Sequence, residues 1–106
     1  MILTTTNTLQ GKNISDYKGI VSGETIIGAN AIKDFFASVT DFFGGRSSSY
    51  EKVLIEAKEI AIEELKEKAQ KLGANAIIGI DFDYETIGER GSMMMVTATG
   101  TAITIE

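Results

Sequence analysis

Asp81, Asp83 and Glu85 stand two residues apart in a stretch whose apolar residues also alternate. On a strand that spacing turns all three carboxylates to one side, with successive Cα atoms about 7 Å apart. Such a row suits a hard cation such as Mg²⁺ or Ca²⁺, or an acid/base pair. The ordinary alternative is a solvated sheet face, or a subunit contact with Lys or Arg. Met93-Met94-Met95 offers thioether sulfur to a soft metal. Neighbouring strand residues point to opposite faces, so Met93 and Met95 share a side that Met94 does not. Gap-filling in a core or interface is the competing use of these methionines. Gly44-Gly45-Arg46-Ser47-Ser48-Ser49 precedes a helical pattern. Backbone N–H groups, the hydroxyls of Ser47 and Ser48 and the Arg46 guanidinium suit an anion such as phosphate. The spacing and lysine of a P-loop are missing, and a helix–helix turn with a capping box explains the same residues.

The chain of 106 residues has no histidine and no cysteine. That removes the usual general base near neutral pH, the thiolate nucleophile and the common ligands of zinc and copper. A hydrolytic or phosphate-handling enzyme built on Asp81, Asp83 and Glu24, with Arg46 binding the anion, would need a carboxylate of raised pKa or a metal. No residue is assigned a catalytic role, and no motif identifies a cofactor. The net charge of −5 disfavours nucleic acid as a partner. No basic-then-apolar leader begins the chain, and no apolar run approaches the roughly 20 residues that span a bilayer. A single cytoplasmic domain over 1–106, with no membrane partner, is the expectation.

The elements that position these groups are read from periodicity. Ile2 to Thr6 is a short β-branched strand, and Asn7 to Asn13 a polar loop. Tyr17 to Ile27 reads as a strand in which Gly19 and Gly23 need something packed closely over them. From Ala31 to Phe43 the period changes: Ile32, Phe35, Phe36, Val39, Phe42 and Phe43 fall on one helical face, with Asn30 as N-cap and Gly44-Gly45 as stop. Ser48-Ser49-Tyr50-Glu51 has the form of a capping box. A second helix follows, with a stripe of Tyr50, Val53, Leu54, Ala57, Ile60, Ala61, Leu65 and Leu72, ending at Gly73. Ile55 and Ile62 lie off that stripe, on a flank with Ala69, and suggest contact with another copy of the chain.

Ile78, Ile80, Phe82 and Tyr84 alternate with Ile77, Gly79, Asp81, Asp83 and Glu85. Met94, Val96, Ala98, Gly100 and Ala102 alternate with Met93, Met95 and a run of threonines. Residues facing one another in an antiparallel pair share a face. Ile78, Ile80, Phe82 and Tyr84 should therefore oppose Ala102, Gly100, Ala98 and Val96. Asp81, Asp83 and Glu85 should oppose Thr99, Thr97 and Met95. Keeping that parity requires an odd-length loop containing Gly88 and Gly91. The small residues of the last strand would let a helix lie close to it.

Tyr17-Lys18-Gly19-Ile20-Val21-Ser22-Gly23-Glu24, Gly28-Ala29-Asn30, Gly44-Gly45-Arg46-Ser47, Tyr50-Glu51, Leu72-Gly73-Ala74-Asn75-Ala76-Ile77-Ile78-Gly79, Asp83-Tyr84-Glu85 and Met93-Met94-Met95-Val96 together resemble the YbjQ-like family, over nearly the whole chain. The resemblance implies an α+β subunit of dodecin-like fold, with two helices on one face of a mainly antiparallel sheet. It also implies a ring-shaped homo-oligomer, most simply a pentamer, and it carries a heavy-metal-binding label without catalytic residues. The expected function is a homo-oligomeric binding or structural protein that takes a metal or small ligand at subunit contacts.

Overall fold

The computed structural model of the protein describes residues 1–28, 48–89 and 93–106. The expected helix over Ala31–Phe43, its Asn30 cap and its Gly44-Gly45 stop lie outside these residues, as does Gly91. Within them the elements run β1 (Ile2–Leu3), β2 (Ile14–Ile27), α1 (Ser48–Lys71), β3 (Ala76–Ile87) and β4 (Met93–Ile105). The strands form one sheet in the order β1-β3-β4-β2. β4 is antiparallel to both neighbours, and β1 runs parallel to β3, so the sheet is mixed. The class is α+β as expected, but the architecture is corrected: among the described residues one helix, not two, covers a sheet face.

The helix lies on the sheet through small residues. Ala57, Ala61, Leu65 and Ala69 recur every four positions and are buried against Val21, Ala98 and Ala102. A Cβ built on Gly23 would stand 1.9 Å from the Ala61 carbonyl oxygen, so the backbones touch where the side chain is missing. That closeness selects alanine and leaves no room for a wider stripe. Ile60 and Leu72, expected in the stripe, are 56% and 45% exposed, while Ala69, expected on the flank, is fully buried. Ile60 overhangs the side of β2, where no described strand continues the sheet, and Leu72 falls beyond the last helical turn.

The helix stops at a left-handed glycine. Gly73 has φ +80. Its N–H donates to the Gln70 carbonyl, and the Ala74 N–H donates to the Ala69 carbonyl, each at 3.0 Å. These two bonds are those of a Schellman motif and satisfy carbonyls that the helix leaves free. Asn75 then ties the start of β3 to the end of β4. Its amide donates to the Ile105 carbonyl at 3.2 Å, and its side-chain oxygen accepts the Ile105 N–H at 2.8 Å.

The expected register holds from Asp81 to Glu85. Phe82 opposes Ala98 and Tyr84 opposes Val96, while Asp81, Asp83 and Glu85 oppose Thr99, Thr97 and Met95. Ile87 pairs with Met93, which leaves the odd-length connection 88–92. Below Asp81 the expectation fails, because Ile77, not Ile78, opposes Ala102. A bulge at Gly79 and Ile80 inserts the extra residue. Gly79 takes φ +61, and both N–H groups turn to the N-terminal segment, donating to the Thr6 and Thr4 carbonyls at 2.8 and 3.1 Å. The parity change puts Ile77 and Ile80 under the helix and sends Ile78 to the other face, where Ala76, Ile78 and Ile103 pack with Leu9, Ile14 and Ile105. Gly100 makes room for Ile77 and Ile80, not for the helix, since its Cβ would stand 2.7 Å from Ile77 Cγ2.

The expected ring-shaped oligomer finds no support in the protomer. It was implied by the resemblance, and the contact with another copy that Ile55 and Ile62 suggested needs both to face outward from one flank. Ile62 is half-buried instead, in a hollow with Leu3, Ile80 and Phe82, and only Ile55 is left 54% exposed.

Candidate functional site

The sheet has one face under α1 and one that the described helix does not touch. Pairing places the open face in rows across β3, β4 and β2. Asp81 stands beside Thr99 and Ser22, Asp83 beside Thr97 and Glu24, and Glu85 beside Met95 and Ile26. Ile87 and Met93 follow at one end, with Ile78, Thr101 and Ile20 at the other. The acidic residues are all exposed, and the threonines and methionines are half-buried. The face is thus a band of hydroxyls flanked by carboxylates, with methionine and isoleucine at its end.

The geometry separates the sequence-predicted groups. Asp81, Asp83 and Glu85 do share a face, but among the described residues no three acidic side chains come together as a metal site. Glu24 and Asp83 flank the intervening Thr97, two strand spacings or about 10 Å apart. That is the spacing of their backbones, and with no third acidic side chain gathered beside them among the described residues the fold adds no support to the hydrolytic arrangement of Asp81, Asp83 and Glu24. Met93 and Met95 lie together on the open face, whereas Met94 packs on the core beneath the helix. Glu85 is the cross-strand neighbour of Met95. Ser48 opens α1, while Arg46 and Ser47 lie outside the described residues, so the anion site they would form is not placed.

Two contributors to this face were missed in the sequence. Ser22 and Ile26 join it because β2 pairs with β4 across a long connection, and no hairpin signal announces such a pairing. Glu64 lies on α1, outside this face. It reaches the sheet edge, where Glu24 N–H donates to Glu64 Oε2 at 3.5 Å, and it also pairs with Lys68 at 3.2 Å.

The described residues make a small α+β protein whose sheet has one face under the helix and one that the helix leaves uncovered. The chain belongs to the YbjQ family: a family model described as "Putative heavy-metal-binding" matches residues 1–106. It is 62% identical to a "UPF0145 protein" of Acetivibrio thermocellus and 60% identical to one of Clostridium kluyveri, each over 106 residues and the full length of both chains. A crystal structure of a protein of unknown function from Pediococcus pentosaceus, assigned to the DUF74 family, matches with a TM-score of 0.60. It is 24% identical, with 100% of this chain and 98% of that one covered, and it supports the fold alone. No described helix is long and apolar enough to cross a membrane.

Proposed function

We propose that this protein is a non-catalytic, cytoplasmic homo-oligomer that binds a soft metal or small ligand where its copies meet. The observation that carries the reading is the open face, which sets Met93 and Met95 side by side with Glu85 at its end. One protomer offers two thioethers and a carboxylate there, one donor short of a tetrahedral set. A second copy supplies the rest. The family description points to metal, and the resemblance to five copies.

Native mass spectrometry of protein purified without added metal, followed by calorimetric titration with Cu(I) and Hg(II), tests this. The expected result is a multiple of the 11.4 kDa protomer and a saturable heat that Met93→Leu with Met95→Leu abolishes. A protomer mass at every concentration removes the oligomer. A heat unchanged in the double variant, or none in the wild type, removes the methionine site.

A further inference from the structure

The bulge at Gly79 and Ile80 divides β3 into two halves whose registers are secured differently. Above it, a slip of one residue would turn Asp81, Asp83 and Glu85 to the helix side and Phe82 away from it. Burying those charges makes that slip costly. Below it, the same slip exchanges two identical side chains. Ile77 lies in the core beneath α1, and Ile78 lies with Ala76 and Ile103 on the other face. Paired straight on from Asp81, the strand would set Ile80 opposite Gly100, Ile78 opposite Ala102 and Ile77 opposite Ile103. Each face would again receive one of the pair Ile77 and Ile78, and Ala76, which also changes sides, is small. Side-chain burial therefore chooses only weakly between the two registers of 76–80.

The N-terminal segment grips this half of β3. Ile2 N–H donates to the Asn75 carbonyl at 3.4 Å, and Thr4 N–H to the Ile77 carbonyl at 3.0 Å. The Thr4 and Thr6 carbonyls then take the two N–H groups of the bulge. The segment's own hydroxyls fix its turn: Thr6 N–H donates to Thr4 Oγ1 at 3.2 Å, and the Thr6 hydroxyl donates to the Thr8 carbonyl at 2.7 Å. Leu3 packs on the core beneath the helix and Leu9 on the cluster of the opposite face, so residues 3–9 pass around β3 at the bulge. A Cβ on Gly79 would meet nothing closer than Asn7 Oδ1 at 3.7 Å, so it is the φ of +61, not lack of space, that reserves the position for glycine.

We propose that residues 2–8 are a clamp that selects the register of β3. With the clamp closed, the bulge stands and Ile77 lies under α1. With it released, Gly79 and Ile80 pair directly with Thr101 and Gly100, the bulge is gone, and Ile78 takes the place of Ile77. Two packings of one sequence then differ by a one-residue slide of 76–78. The turn at 72–75 follows by about 3.3 Å, one residue's rise. Asn75 is the second restraint on this slide, through its backbone bond to Ile103 and its side-chain bonds to Ile105. The N-terminus and the end of α1 are thereby coupled through the register of the strand between them. The upper half of β3, with its carboxylates, keeps its pairing in both states.

Methyl NMR of the full chain, labelled at isoleucine, leucine and alanine, tests it. In the wild type the Ile77 methyls should show contacts to methyls of α1, and the Ile78 methyls to the cluster with Leu9. Gly79→Val favours the straight strand, because a β-branched residue resists the left-handed φ although there is room for it. Gly79→Asn tolerates that φ and should match the wild type. In Gly79→Val, Ile78 should replace Ile77 against α1 while Asp81 still pairs with Thr99. Thr4→Pro, which removes the N–H given to Ile77, combined with Asn75→Ala should show both sets of contacts at once. A folded Gly79→Val that keeps Ile77 beneath α1 overturns the clamp. If Gly79→Val does not fold, the double variant decides, and a single wild-type set of contacts in it overturns the clamp. Loss of the fold in both means that only one register exists, and overturns it equally.

Discussion

A methyl group at position 23 would sit 1.9 Å from the Ala61 carbonyl oxygen and 2.8 Å from the Leu65 nitrogen. Both are backbone atoms, so no rotamer change relieves the clash, and α1 must lift from β2. Overpacking of this kind costs about 3 kcal/mol or more. Gly23→Ala should therefore lower stability in urea by at least that amount, or leave the chain unfolded. A small change in denaturation midpoint would show that the helix does not rest on this strand. Asn75 works at the same scale by hydrogen bonding. Its side chain exchanges two bonds with Ile105, and Asn75→Ala removes both. The expected cost is about 2 kcal/mol, read in the same denaturation experiment. Amide exchange should speed up first at Ile105, whose N–H loses its acceptor.

At the scale of elements, what could be read in the sequence was whatever repeats locally. The helix from Ser48 to its glycine stop, and the pairing of Asp81–Glu85 with Met95–Thr99, follow from period and parity. The bulge at Gly79 does not, because the N-terminal segment that holds it is some seventy residues away in sequence. One inserted residue then reverses which of Ile77 and Ile78 faces the helix. Similarly, Ile60 fits the helical stripe by spacing, and only the closeness at Gly23 shows that the stripe is too narrow to include it. The face shared by Met93, Met95 and Glu85 was legible as alternation, but its flank of Ser22 and Ile26 depends on a long-range pairing with no local signal. These assignments separate two isoleucines two residues apart. Ile62→Ala should cost about 2 kcal/mol, because Ile62 is half-buried beside Leu3, Ile80 and Phe82. Ile60→Ala should cost the isolated protomer under about 1 kcal/mol, since it removes mostly exposed surface. Dilute-solution denaturation of the pair checks this, and equal losses would restore Ile60 to the core stripe.

For the whole molecule, the unevenness of the surface decides the last expectation. The described helix leaves one sheet face uncovered, and Ile20, Ile26, Ile55, Ile60, Tyr17 and Tyr84 are each more than half exposed. These side chains lie on the open sheet face, on the helix and on the helix side of the sheet, and only where they adjoin do they offer an interaction surface. If copies shelter one another, folding is linked to association, and mass action makes the unfolding temperature depend on protein concentration. Above the dissociation constant, each tenfold rise in concentration adds somewhat over 1 kcal/mol of stability per protomer, or several degrees for a chain of this size. Scans across three decades of concentration should show that slope in the wild type. It should vanish in Ile60→Lys, whose melting temperature at high dilution should equal that of the wild type, because the substituted side chain is already outside the protomer core. A flat dependence in the wild type would mean that each copy folds and functions alone, with its exposed isoleucines facing water.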